Sequence, residues 1–225
     1  MKRSKIFNNT SQDKSLDHKQ FIAFHEAGHA AAIYLNNKTR NLPPVFFQIM
    51  IKDLDGTSEE NIMVYQVAQN DCTARIKGGR SIKSLPSSID DLTHKTTSNN
   101  TMGHVIKDYM IAFEVDIINL LIGPLAEAKH IANTDDELFN HKLVDLDALK
   151  NYGGSSDLAL ANEYLQCFST CKQQQGKKLD ELFSVAFNFI NDRANWAAIT
   201  KLANYILDSN KNIISCEEVA VLFEH

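Results

Sequence analysis

A chain of 225 residues, 44% of them hydrophobic, is long enough to bury one large core or two small ones. Its formal net charge of -5 and pI near 5.9 argue against a nucleic-acid-binding surface, since no basic stripe stands out beyond Lys2, Arg3 and Lys5 at the start and Lys177-Lys178 later. Four cysteines, Cys72, Cys167, Cys171 and Cys216, form no CxxC pair and follow no secretory signal, which predicts reduced thiols and a cytoplasmic setting. Cys167 and Cys171, four apart in an expected helix, are read as packing residues.

Residues 1–16 are polar and lack periodicity, so they are expected to be a mobile arm ahead of one domain over 17–225. A helix is predicted over 17–36, where Phe21, Ile22, Phe24, Ala32, Ile33 and Leu35 supply apolar residues, alanines fill the gaps and Asn36-Asn37 gives a stop. Inside it stands the most informative string of the chain, Phe24-His25-Glu26-Ala27-Gly28-His29-Ala30. This is the HExxH arrangement of a zinc hydrolase. Positions four apart lie one turn above each other, so His25 and His29 can reach one ion from a single helix face while Glu26 points to the open coordination position. Zinc held by three protein ligands keeps a fourth position for water, lowers that water's pKa to about 7 and polarises a carbonyl. Glu26 is the expected general base, taking the proton of the attacking water and passing it to the leaving amine. Gly28 is a poor helix former whose small size lets another element or a substrate come close.

Pro43-Pro44 ends this pattern, and residues 45–51, 62–68 and 73–82 read as strands, with a bend or bulge at Gly78-Gly79. Residues 91–100 read as loop. A long helix is predicted over 104–132, where Gly123-Pro124 could divide or kink it. Its apolar run over 110–126 is near the length of a short membrane span but carries Glu114 and Asp116, which favours a buried amphipathic helix and no membrane anchor. Residues 133–151 are acidic and irregular. A helix capped by Ser155 or Ser156 is expected to run to about residue 172, followed by a pair of helices over 179–206 with a break, and a last one over 216–223 behind Ser215. The fold class is therefore mainly α, with a small β-sheet beside the zinc helix.

Two histidines leave a zinc site one ligand short. Glu127, His130, His141, Asp145, Asp147 and Asp157 are all available, and spacing does not choose among them; a glutamate on a following helix, here Glu127, completes the set in one common hydrolase pattern.

The string FHEAGHA is similar to the motif of the FtsH peptidase domain, an ATP-dependent zinc metalloprotease, and GGSSDLALANEYL resembles that family's Gly-rich turn, Asp and helix. The resemblance implies a zincin-like peptidase domain with Asp157 as third zinc ligand. NLLIGPLAEA, 119–128, is similar to the family's hydrophobic stretch ending in a small-residue turn, and 185–223 resembles its closing helices. Departures are also present: Ile122 and Pro124 stand in place of the first Gly and the Arg of the usual GGR, Ala128 replaces the second acidic residue, and insertions are expected near 55–71 and 91–104. No GxxxxGK[ST] phosphate loop occurs, so the expected activity is ATP-independent cleavage of flexible or unfolded polypeptide, with an unfoldase or family member in trans as a possible partner. The segment 80–85 resembles the family's substrate-binding edge strand, which implies Arg80, Ser81 and Ile82 as peptide contacts. The competing expectation is a catalytically silent zinc-binding or regulatory module that associates with other proteins.

Overall fold

The computed structural model describes residues 11–51, 74–85 and 102–224, and over these the protein is mainly α, with six helices and a three-stranded antiparallel sheet. In chain order the elements are α1 (Ser11–Thr39), β1 (Phe47–Ile51), β2 (Ala74–Gly78), α2 (Met102–Thr134), a 3-10 turn (Ala148–Asn151), α3 (Ser155–Phe168), α4 (Lys172–Asn191), α5 (Arg193–Asp208), β3 (Ile213–Ser215) and α6 (Cys216–Glu224). The expected strand over 62–68, the loop over 91–100 and the insertion at 55–71 lie outside the described residues, as does most of the insertion at 91–104.

The core is built where α1 crosses α2. Phe113, Ile117, Leu121 and Leu125, four apart along α2, stack on one face and are fully buried. Opposite them α1 offers Ala23, Ala27, Ala30 and Ala31, whose short side chains let the two backbones come close. Gly28 sits at the tightest point: a Cβ there would lie 2.7 Å from the Ala126 Cβ and 3.0 Å from the Ile122 carbonyl. The element that Gly28 admits is thus α2. The other flank of α1 packs on α5, where Phe24 lies between the His130 imidazole, stacked at 3.8 Å, and Trp196.

α2 runs unbroken through Gly123-Pro124. It is long and apolar enough to cross a membrane by length and composition, and 67% of its most apolar window is buried within the fold. Asp116, 2% exposed in that window, accepts from the Ser81 and Ile82 N–H groups at 2.9 Å each and from the Tyr164 hydroxyl at 3.0 Å. One buried carboxylate therefore joins α2, α3 and the segment after β2.

The sheet order is β2-β1-β3, with Ile49 facing Ile76 on one side and Ile214 on the other. β2 stops where Gly78 and Gly79 take φ values of 89° and 85°, a region that L side chains avoid. The residues beyond it, 80–85, are bends rather than strand, so the expected strand over 73–82 is shorter at its C-terminal end. β3 is an addition to the predicted elements.

Other boundaries move for local reasons. α1 begins at Ser11, so the expected arm over 1–16 is helical over its last six residues. α3 ends at Phe168 because Ser169 is extended and its hydroxyl takes the Cys171 N–H, which puts Cys167 and Cys171 on separate elements. Gly154, not Ser155 or Ser156, holds the N-cap position of α3. The break between α4 and α5 is Asp192, whose carboxylate accepts from Ala194 and Asn195 N–H at 2.9 and 3.0 Å. α6 starts with a reciprocal box: Ser215 Oγ accepts the Glu218 N–H and Glu218 Oε2 accepts the Ser215 N–H.

Candidate metal centre

His25 and His29 project from α1 toward the N-terminal turn of α3, where Asp157 stands. The Asp157 carboxylate meets both imidazoles, Oδ2 at 3.4 Å from His25 Nε2 and Oδ1 at 3.4 Å from His29 Nε2. Donor atoms bound tetrahedrally to one zinc at about 2.0–2.1 Å stand about 3.3 Å apart, so this spacing fits a shared ion. One ligand atom from each of the three residues lies within 4.8 Å of the others, and the group can hold a metal ion.

The outer nitrogens are fixed from α2. His29 Nδ1 donates to the Asn119 carbonyl at 2.9 Å, and a carbonyl can only accept, so Nε2 is the atom left to face Asp157. His25 Nδ1 lies 2.9 Å from Glu127 Oε2, which orients the second ring in the same way. Glu127, a candidate third ligand in the sequence, therefore meets the outer nitrogen of His25, while Asp157 stands with the two Nε2 atoms in the group that can hold a metal ion. His130 stacks on Phe24, His141 stacks on Phe187 at 3.6 Å, Asp145 accepts the Ala148 N–H and Asp147 pairs with Lys150. None of these four joins the group.

Gly123 makes the geometry possible. A Cβ at this position would overlap the His29 imidazole, so the α2 backbone reaches the ring only because the residue is glycine. The carbonyl of Asn119 lies one turn earlier, and the Asn119 side chain accepts from Asn36 Nδ2 at 2.8 Å, which locks the same two helices again.

Charge is concentrated here. Burial opposes a charge on His25, but hydrogen bonds with Asp157 and Glu127 outweigh it and raise its pKa well above 6.5. Burial likewise opposes a charge on His29, and Asp157 again prevails and raises it. For Asp157 burial alone would push upward, yet the two imidazoles hold it well below the usual carboxylate range. A carboxylate drawing positive charge onto two imidazoles is a donor set in which a divalent cation can replace the protons.

Glu26 stands beside this group with its Oε2 accepting the Ile76 N–H of β2 at 2.7 Å. Burial raises its pKa, moderated by His25 and His29. The pairing of Gly79 N–H with the Phe46 carbonyl shows that Gly79, like Arg75 and Lys77, turns its backbone groups to β1, so Ile76 turns its own toward α1 and the cleft.

A cleft of about 370 Å3 opens over the group, lined by the apolar Ile33, Leu120, Leu160 and Ile76 and by Gly79 and Arg80, with Ile33 packed against Gly79. Of the three expected peptide contacts, Arg80 lines the cleft, while the Ser81 and Ile82 N–H groups are taken by Asp116. Among the described residues the outer strand beside the cleft is β2, and 80–82 are not strand.

Comparison with models of known families, with curated proteins and with solved structures returns no match for this chain.

Sequence reasoning missed Asn119, Asp116 and the charge of the β2 wall. Asp116 and Asn119 were visible as polar residues inside an apolar run, a position that requires a buried partner. The wall was visible as Arg75, Lys77, Arg80 and Lys83, four cations and no acid between 74 and 85 in a chain of net charge -5.

Proposed function

We propose that the chain is a zinc-dependent endopeptidase acting on flexible or unfolded polypeptide, with His25, His29 and Asp157 as ligands and Glu26 as general base. The observation that carries this reading is the convergence of the two Nε2 atoms on one carboxylate 3.4 Å from each, with a second carboxylate, Glu26, on the same cleft. The likeness of FHEAGHA and GGSSDLALANEYL to the FtsH peptidase domain supports the same assignment.

A zinc ion held by His25, His29 and Asp157 would polarise a substrate carbonyl and lower the pKa of a bound water to about 7. The chain's own groups do the rest. Glu26, whose pKa burial raises above the ordinary carboxylate value, is suited to accept a proton and return it to a leaving amine. Glu127 and the Asn119 carbonyl hold both imidazoles in the orientation that ligation requires. Among the described residues β2 is an outer strand of the sheet that borders the cleft, and a cleft of about 370 Å3 suits an extended peptide segment better than a folded domain.

One observation favours a second reading, a zinc-binding module without catalysis: Glu26 is held by the Ile76 N–H rather than facing the cleft unbound. A single comparison separates the two. Zinc content is measured, and cleavage of casein is followed for wild type, for wild type with chelator and for Glu26→Gln. The peptidase reading expects one zinc per chain in both proteins and turnover lost by a factor of about 10²–10⁴ in the variant, the worth of a general base. Equal cleavage by Glu26→Gln would refute it.

A further inference from the structure

We infer that the cleft selects acidic polypeptide, taking a carboxylate of the substrate on Arg75 and Arg80 within about three residues of the bond it cleaves. The inference rests on the peptide-hydrolase reading and adds to it a substrate class.

The wall formed by β2 and its exit carries a charge opposite to that of the whole molecule. Between residues 74 and 85 the chain has Arg75, Lys77, Arg80 and Lys83 and neither Asp nor Glu. Arg75 and Arg80 line the same cleft as the His25, His29 and Asp157 group. Neither makes an ion pair with any described residue, whereas Lys150, Lys178 and Lys211 each do. The acids that share the cleft are committed elsewhere: Asp157 to the two imidazoles, Glu26 to the Ile76 N–H, and Asp116 to Ser81, Ile82 and Tyr164. Arg80 has a side-chain hydrogen bond with the Tyr164 hydroxyl, which draws that group's pKa down against the stronger upward push of burial and Asp116, and a guanidinium with five N–H groups keeps donors beyond that one. Two guanidinium groups on a wall whose own carboxylates are occupied are a receptor for an anionic group, and guanidinium matches carboxylate in a two-pronged contact.

Size fixes where that group falls. A volume of about 370 Å3 equals that of a sphere about 9 Å across, the span of two to three residues of extended chain at about 3.3 Å each. A peptide lying in the cleft thus brings a side chain to Arg75 or Arg80 within about two to three residues of the carbonyl beside the His25, His29 and Asp157 group. Ile33, Leu120 and Leu160 add lining without charge, which leaves Arg75 and Arg80 as the cationic lining residues outside the His25, His29 and Asp157 group.

Binding and cleavage are measured in parallel on the full chain. Zinc-loaded Glu26→Gln is titrated into fluorescein-labelled unstructured peptides that differ only in Glu, Gln or Lys at positions flanking one apolar residue, each with a free or amidated C-terminus. Fluorescence anisotropy is read at low salt and in 0.5 M salt. The Glu peptide is expected to bind about tenfold more tightly than the Gln peptide, the worth of one charge-assisted hydrogen bond. The advantage shrinks in high salt. It also falls toward unity in Arg75→Gln and Arg80→Gln, while Arg75→Lys and Arg80→Lys retain much of it. A preference confined to free C-termini assigns the same carboxylate site to a chain end instead of a side chain. Equal binding of Glu and Gln peptides, preference for Lys, or displacement of the Glu peptide by a single-stranded oligonucleotide would overturn the inference. The underlying reading fails separately: if the Glu preference persists but zinc-loaded wild type cleaves none of the peptides, the hydrolase assignment falls and the acidic site stands.

Discussion

Glu127 decides whether the site is organised as drawn, because it was an open candidate for a ligand and the structure gives it a supporting position. Its Oε2 lies 2.9 Å from His25 Nδ1, and its side chain is 13% exposed. Replacement by Gln keeps an acceptor of the same shape and removes the charge. A hydrogen bond to a charged group is worth about 1.5–3 kcal/mol and a neutral one about 0.5–1.5, so the change costs about 1–1.5 kcal/mol, or roughly tenfold in zinc affinity. Glu127→Ala removes the acceptor as well and should approach the hundredfold loss typical of a ligand that has lost its partner. Asp157→Asn is the contrasting variant. It removes the carboxylate that both Nε2 atoms face, and stoichiometric zinc binding should disappear. Competition against a chromophoric chelator gives each affinity, with circular dichroism to show that the variants fold. Loss of all zinc in Glu127→Gln, or zinc binding by Asp157→Asn within tenfold of wild type, would reverse the two roles and refute the geometry.

Three further outcomes follow from the same contacts. Gly123→Ala should lower zinc affinity by about tenfold or more while helix content is retained, because the added methyl overlaps the His29 ring; its overpacking cost of about 1–3 kcal/mol is partly offset by the better helix propensity of Ala. Chelation should lower Tm by roughly 5–11 °C relative to protein with zinc at 100 times Kd, from about 2.7 kcal/mol of linkage at 2–4 °C per kcal/mol for a chain of this size; an unchanged Tm would speak against binding to the native state. Lys178 reaches Glu114 at 2.6 Å, and although burial opposes its charge, Glu114 and Glu181 raise its pKa. A raised lysine contributes stability below its unfolded pKa of about 10.4 and loses it as pH climbs through the folded value, so urea midpoints of wild type should decline above about pH 10.4 more steeply than those of Glu114→Gln.

The helices were legible because their signals are local. Apolar residues at helical spacing marked α1 and α2, Ser215 marked a start that the structure bears out with a side-chain cap, and the break expected within 179–206 falls at Asp192. The two imidazoles of the centre were legible for the same reason, since a spacing of four puts them on one face. Asp157 is 128 positions from His29, and no local pattern connects them; it emerged from a resemblance of segments. Glu127 was visible as a carboxylate near the site, but helix periodicity cannot say which nitrogen of His25 it meets. β3 was not legible because three residues, Ile213, Ile214 and Ser215, form a strand only by pairing with β1. The basic wall escaped because charge was weighed along the whole chain, where the 28 acidic residues outnumber the 23 basic ones, and not over the twelve residues that flank the cleft.

The crossing of α1 and α2 serves the core and the centre through the same residues, and this constrains how the sequence can vary. Gly28 and Ala126 set how closely the helices approach, and that approach brings the Asn119 carbonyl to His29 and Glu127 to His25. A bulkier residue at Gly28 would meet the Ala126 Cβ and the Ile122 carbonyl, and helix separation would open both hydrogen bonds at once. Hydrogen bonds weaken steeply with stretch and misalignment, whereas a repacked core often loses little more than about 1–3 kcal/mol. Metal affinity is therefore the more sensitive readout of this packing. Substitutions deep in α2 that leave the protein folded should still disperse His25, His29 and Asp157, so the close helix pair is itself part of the candidate site.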